Sequence, residues 1–215
     1  MKEDLYQDLK LIYEEKKNSI KDQLKNFEEF FKKSDDRRVF EELAFCILTS
    51  AVGPKMGMKS LEAIRDFIMD GTEIDLKWML EKVHKYPDKA GFIVHTRDYL
   101  MSEYDFKLKD LIRSFKDPIE RRDFFASNKN IKGIGYVQAS HFLRDIGFAG
   151  YAILDKNIVF SLNQYGVIES PKPPTTKKKY LEIEQKMKEF ANELGIGIDE
   201  LDLLLWSKKT GHIPR

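Results

Sequence analysis

The sequence predicts an all-α protein built from many short helices. Apolar residues recur at helical spacing through most of the chain. No segment shows the sustained alternation of a half-buried strand. Gly, Pro, Asp and Thr stand between the periodic segments, where helices begin and end. The 215 residues are 42% hydrophobic and 34% charged, enough to bury the core of one domain over residues 1–215 or of two packed subdomains.

Capping residues divide this pattern into individual helices. Asp36 is expected to cap a buried helix through FEELAFCILTS, which Gly53 and Pro54 end. Thr175 or Thr176 is a cap for KKKYLEIEQKMKEFANEL, and Asp199 is expected to cap the last helix. The other predicted helices lie in the periodic segments 2–17 and 19–33, at 56–71 with Gly71 closing it, and near 73–82, 89–103, 108–115, 118–128, 136–146 and 155–165.

The composition excludes several classes of protein. Cys46 is the only cysteine, so neither an internal disulfide nor a four-cysteine metal or iron–sulfur site is available. The four histidines lie far apart with no second ligand at metal-binding spacing, and we predict no metal. No apolar run reaches the roughly 20 residues of a membrane span, and the charged N-terminus is unlike a signal peptide, so we expect a cytoplasmic protein. The net charge of +1 gives no global argument for nucleic acid.

The segment NIKGIGYVQAS predicts a tight turn between two helices. Gly133 and Gly135 permit positive φ and leave no Cβ above the turn. Backbone N–H groups there and at the start of the next helix would face outward, which is an arrangement that binds anions. With Lys129 and Lys132 beside them, these groups suit a DNA backbone phosphate, in a sequence-independent contact. An interhelical turn without a ligand remains the alternative.

Asp155 is the second candidate functional residue. It follows the apolar AIL and precedes NIVFSL, where a helix starts. An aspartate in that position is a helix N-cap, and the capping role alone would explain it. The three-residue AIL is too short and isolated to seed a sheet.

The layout from the turn to Asp155 resembles that of the helix–hairpin–helix DNA glycosylases, with the hairpin motif at about 118–146. Within that superfamily the chain is most similar to the archaeal and thermophile-type 8-oxoguanine DNA glycosylase/AP lyases, the second Ogg family. The resemblance covers nearly the whole chain. The stretches that carry it are EELAFCILTS, NIKGIGY, ASHFLRDIG, YAILDKNI, KKKYLEIE, ELDLLLW and TGHIPR.

The resemblance implies a base-excision repair enzyme acting on double-stranded DNA. Members flip a damaged base into a pocket in a cleft between two helical subdomains. Asp155 then matches the carboxylate that supports cleavage of the N-glycosidic bond, Tyr86 and Trp206 match aromatic walls of the base pocket, and Arg215 stands at the C-terminal residue that helps to read the base. We expect a nucleoid-associated monomer without membrane contact or cofactor, although the hairpin carbonyls could hold a monovalent cation.

Val137 departs from the family pattern. It occupies the position at which bifunctional members carry the lysine whose amine forms a Schiff base with the sugar. Three interpretations stay open: a monofunctional glycosylase, a glycosylase/AP lyase that uses Lys132 or Lys156, and a non-catalytic protein that binds damaged DNA. The hairpin should direct Lys132 to a phosphate, and Lys156 should face solvent, which disfavours both as substitutes. Asn157 and Val52 also depart from the family pattern. The identity of the preferred base therefore rests on the resemblance and is not deduced from the residues themselves.

Overall fold

The computed structural model describes residues 2–213, with side chains from Leu5 onward, so Arg215 lies outside the described residues. Within that range the chain forms eleven α-helices and no β-strand, which confirms the all-α prediction. None of these helices is long and apolar enough to cross a membrane. The helices are α1 Lys2–Lys33, α2 Asp36–Thr49, α3 Pro54–Ile64 (followed by a 3-10 turn, Arg65–Phe67), α4 Glu73–Glu81, α5 Lys89–Tyr104, α6 Leu108–Ser114, α7 Pro118–Ser127, α8 Tyr136–Asp145, α9 Lys156–Gln164, α10 Lys177–Leu194 and α11 Ile198–Thr210.

Two predicted caps are wrong by one or two positions. Asp35, not Asp36, caps α2, and its side chain accepts the N–H of Arg38. Asp36 instead accepts the N–H of Lys109 at 2.6 Å, so a distant helix start uses its carboxylate. In contrast, Thr176 caps α10 and accepts the N–H of Lys179, as predicted.

Asp199 does not cap α11. Gly197 is the N-cap, and the side chain of Glu200 accepts its N–H at 2.8 Å. Asp199 lies in the first turn, where its carboxylate accepts the N–H of Gly150 at 2.9 Å. A long-range hydrogen bond therefore takes the side chain that the local pattern had assigned to capping.

The predicted helix at 56–71 is shorter than its pattern. It begins at Pro54, ends at Ile64 and continues only as the 3-10 turn. The guanidinium of Arg97 donates to the carbonyls of Ile68 and Gly71, at 3.3 and 2.7 Å. These bonds satisfy carbonyls that leave the helix, so the chain turns before Gly71.

The chain divides into two compact units. One is Phe31–Phe142 and the other contains the residues up to Phe30 and those from Leu143 onward. In the first unit, α2 is the central helix: it is buried continuously over Val39–Leu48 and packs against α3, α5 and α6. In the second unit, α9 and α10 both pack against α11.

Candidate active site

The turn between α7 and α8 has the tight geometry that its glycines predict. Gly133 has φ +78°, a conformation that L-residues rarely adopt. A Cβ on this residue would lie 2.6 Å from the ring of Phe92 and 3.1 Å from Cγ2 of Ile47. Ile131, two residues earlier in the turn, is buried in the same unit. Gly133 is therefore required both by the backbone and by the packing above it.

We expect Gly133→Ala to lower the thermal stability, because alanine adds both positive-φ strain and a clash with Phe92, together about 1–3 kcal/mol. Gly135→Ala is the matched control, since its Cβ would meet only Oε1 of Gln138, at 4.0 Å. Thermal unfolding followed by circular dichroism measures both variants. Equal losses in the two would contradict the packing role given to Gly133.

Two of the predicted phosphate-binding residues, Lys132 and Gly135, already have acceptors for their backbone N–H groups. Lys132 donates its backbone N–H to Oγ1 of Thr96 at 3.0 Å. Gly135 donates to Oε1 of Gln138 at 3.3 Å, a long hydrogen bond of the kind that closes a capping box. A phosphate that binds at Gly135 has to displace this side chain. Phosphate binding by Lys132, Gly133 and Gly135 stays a prediction.

Val137 is the second residue of α8, and its side chain is partly exposed. The start of this helix is held by Tyr136, whose hydroxyl donates to Asp123 and whose ring lies 5.3 Å from the guanidinium carbon of Arg122. The isopropyl group of Val137 can neither attack a sugar nor move a proton. Residue 137 therefore lies at an anchored helix start but supplies no nucleophile.

Asp155 is the N-cap of α9, which confirms the predicted capping role. One carboxylate oxygen, Oδ1, accepts the N–H groups of both Asn157 and Ile158, each at 2.8 Å. The residue is half-buried, and negative charge is stabilised at a helix N-terminus. The two hydrogen bonds fix the carboxylate in one orientation.

The segment before Asp155 is a buried, non-helical stretch that pairs with no strand in residues 2–213. Residues Tyr151–Leu154 are all buried, yet their backbone N–H groups need acceptors. Side chains of α10 and α11 supply them. Ala152 donates to Oε2 of Glu184 at 2.9 Å, Ile153 to Oδ1 of Asp202 at 3.3 Å, and Leu154 to the hydroxyl of Tyr180 at 3.3 Å, while that hydroxyl donates to the Ala152 carbonyl at 2.6 Å.

A buried arginine neutralises part of this network. Nη1 of Arg144 lies 2.8 Å from Oδ2 of Asp202, and Nη2 lies 2.9 Å from Asp145. Burial raises the pKa of Asp202 to about 7, and Arg144 opposes that rise. Burial lowers the pKa of the Arg144 guanidinium, but the charges of Asp145 and Asp202 outweigh it and raise that pKa. We infer that Arg144 stays charged and keeps Asp202 in place as a hydrogen-bond acceptor.

Sequence reasoning missed the hydrogen bonds that Glu184, Asp202 and Tyr180 make to the segment before Asp155. The available signal was a carboxylate at helical spacing among apolar residues: Glu184 lies four residues after Tyr180 and three before Met187, and Asp202 lies four after Ile198 and three before Leu205. Charged residues on buried faces usually have a partner. Nothing in the local pattern says that the partner is the backbone of a segment 32 or 49 residues away.

Tyr86 lies in the turn between α4 and α5 and is 41% exposed. Its N–H donates to Nδ1 of His84 at 2.8 Å, and Nε2 of the same ring lies 2.9 Å from the carbonyl of Leu48. Because an amide N–H can only donate, Nδ1 is the acceptor and Nε2 carries the hydrogen. The buried imidazole thereby attaches the Tyr86 turn to the end of α2.

Lys89 binds the same end of α2. Its ammonium donates to the carbonyls of Ile47, Leu48 and Ser50. Burial lowers the pKa of Lys89 to about 8. A lowered amine pKa favours nucleophilic chemistry, but this amine is directed at helix carbonyls, so we assign it to capping α2.

Trp206 lies in α11 and is partly buried. Its indole Nε1 is inaccessible to solvent and has no hydrogen-bond partner within residues 2–213. The site residues fall into two groups: Asp155 and Trp206 belong to one compact unit, and Tyr86, Lys132, Gly133, Gly135 and Val137 belong to the other. The base-pocket roles of Tyr86 and Trp206 stay predictions.

No group of three or more His, Cys, Asp or Glu side chains that could hold a metal ion occurs in the described part of the chain. Cys46 is buried in α2. The monovalent cation at the hairpin carbonyls stays a prediction.

Comparison with known proteins identifies the family. The model of the helix–hairpin–helix 8-oxoguanine DNA glycosylase family (Ogg-HhH) matches residues 20–196. The 8-oxoguanine DNA glycosylase/AP lyase of Korarchaeum cryptofilum is 38% identical over 187 residues, 86% of each chain. That of Fusobacterium nucleatum is 33% identical over 215 residues, 99% of this chain and 98% of the relative.

Solved structures agree with these relatives. The crystal structure of Methanocaldococcus jannaschii 8-oxoguanine DNA glycosylase has a TM-score of 0.87 at 30% identity and covers 98% of this chain and 96% of that one. The complex of the same archaeal enzyme with a 15mer DNA containing 8-oxoguanine also has a TM-score of 0.87, at 30% identity, covering 98% and 99%. The chain therefore belongs to the 8-oxoguanine DNA glycosylase family of helix–hairpin–helix proteins and is a DNA N-glycosylase.

Proposed function

We propose that this protein removes 8-oxoguanine from double-stranded DNA as a monomer and without a Schiff-base intermediate. The proposal rests on one observation: the same chain has an oriented carboxylate at Asp155 and a valine, which has no amine, at residue 137. The relatives compared above are named 8-oxoguanine DNA glycosylase/AP lyase. The substrate thus comes from the family, and the restriction to base removal comes from this chain's own sequence.

Asp155 supplies the electrostatic part of the proposed reaction. Once the damaged base has been flipped out of the duplex, the C1′–N9 bond breaks and positive charge develops on the sugar. A carboxylate held by two N–H groups is pre-oriented to stabilise that charge. The departing base keeps the electron pair of the broken bond and takes up a proton from solvent, while a water molecule forms the new C1′–O bond and gives its proton to Asp155 or to solvent. The products are the free base and an intact strand with an abasic site.

The strand stays intact because AP lyases of this kind promote β-elimination through the imine that a lysine amine forms with C1′. Val137 has no amine. Lys156, the first residue of α9, is exposed, as expected for a side chain that faces solvent. Lys132 is partly exposed in the hairpin turn. We therefore place the chemistry on Asp155 and water, and bifunctional action through another lysine becomes an outcome of the test.

The proposal is tested by incubating the protein with duplexes that carry single lesions, 8-oxoguanine opposite each of the four bases among them. Released bases are identified by mass spectrometry, and an undamaged duplex is the control. We expect free 8-oxoguanine from at least one pairing and none from the undamaged duplex. Binding of these duplexes without release of any base would overturn the proposal in favour of a non-catalytic protein that binds damaged DNA.

A further inference from the structure

The segment that leads into Asp155 depends on side chains for its hydrogen bonds. Residues Tyr151–Leu154 are buried and non-helical, and no neighbouring strand pairs with them in the described range. A buried N–H group that loses its acceptor is strongly unfavourable. The position of this segment is therefore set by whichever groups accept from it, and Asp155 follows it directly in the chain.

Those groups are two buried carboxylates and one buried hydroxyl. Glu184 is 5% exposed and Asp202 is 2% exposed, although burial of charge is unfavourable by itself. Lys188 lies 3.6 Å from Oε1 of Glu184, and Arg144 pairs with Asp202. In each case a counter-ion is present on one side of the carboxylate, and a backbone N–H of the segment is bound on the other.

We propose that Glu184, Asp202 and Tyr180 are positioning residues for base release: they hold the backbone of Ala152, Ile153 and Leu154 and so fix the Asp155 carboxylate relative to the sugar. This inference rests on the proposed function of Asp155. None of the three side chains is assigned a contact with substrate. They act through the main chain, as acceptors for N–H groups one to three residues before Asp155.

Glu184 offers the cleanest test because the neutral and apolar replacements differ in one property. Glu184→Gln keeps an oxygen that can accept the Ala152 N–H, whereas Glu184→Met keeps the length of the side chain and removes the acceptor. Ile183→Val is the matched control, since it shortens the adjacent buried side chain and removes no hydrogen bond. Should Glu184→Met fail to fold, Tyr180→Phe removes the hydroxyl bonds to Leu154 and Ala152 with little change in shape.

The experiment measures single-turnover release of 8-oxoguanine, the Kd for the same duplex, and hydrogen exchange of the 152–154 amides. We expect Glu184→Met to slow release by about tenfold to a hundredfold, with Kd nearly unchanged and faster exchange at Ala152. Glu184→Gln and Ile183→Val should keep rates close to wild type.

Wild-type release by Glu184→Met, with the segment loosened, would overturn the positioning role. So would equal slowing in Glu184→Met and Ile183→Val without rescue by glutamine, because that result reports stability alone. Absence of release by the wild-type protein is a different outcome, since it rejects the proposed function itself.

Discussion

Asp155→Asn is expected to slow single-turnover base release by roughly 100- to 1000-fold, which is the loss typical of removing one oriented electrostatic group from a reacting centre. The fold should be unaffected. Asparagine keeps an Oδ1 atom for the N–H groups of Asn157 and Ile158, and it caps helices as well as aspartate does. Affinity for the 8-oxoguanine duplex should stay near the wild-type value.

A second substitution separates capping from chemistry. Asp155→Ala removes both the charge and the cap, so it should lose about 1 kcal/mol of stability in addition to the rate. Chemical denaturation gives the stability, and rapid quench gives the rate. If Asp155→Asn released base at the wild-type rate, Asp155 would have only its structural role at the start of α9.

Val137→Lys is expected to create a covalent intermediate that the wild-type protein does not form. Val137 is the second residue of α8 and is partly exposed, so a longer side chain can extend from it without entering the core. The resemblance places the Schiff-base lysine of bifunctional members at this residue. Reduction with borohydride during the reaction should then yield a stable protein–DNA complex and strand cleavage.

Val137→Met is the matched control for this gain of function, because its side chain has similar reach and no amine. It should release base and trap nothing. A Val137→Lys protein that still releases base but gives no borohydride complex would show that residue 137 does not reach the sugar, and the inference drawn from the valine would fall with it.

Much of the fold follows from local signals in the sequence. The predicted helices near 73–82, 89–103, 108–115 and 118–128 correspond to α4–α7 within about a turn at each end, because caps and apolar spacing are properties of neighbouring residues. The two cap predictions failed because each side chain accepts a hydrogen bond from a distant residue. Asp36 and Asp199 are both good cap residues, yet one accepts the N–H of Lys109 and the other that of Gly150.

The candidate site also combines features that neighbouring residues predict with features that depend on distant residues. Asp155 is predictable as a cap because its acceptor geometry involves only the next three residues. Gly133 is predictable as a turn residue, but the clash that forbids a Cβ there comes from Phe92, 41 positions earlier in the numbering. Glu184 accepts the N–H of Ala152, which lies 32 positions earlier in the chain. Helical periodicity does not predict a hydrogen bond of this kind.

The central claim is that this chain breaks the glycosidic bond through Asp155 without an amine nucleophile. One time course on a duplex with 8-oxoguanine tests it most directly, with each sample divided among base analysis, gel analysis before and after hot alkali, and borohydride reduction. We predict that free base accumulates, that strand breaks appear only after alkali, and that reduction traps no protein on the DNA. Breaks before alkali, or a trapped complex with the wild-type protein, would contradict the claim.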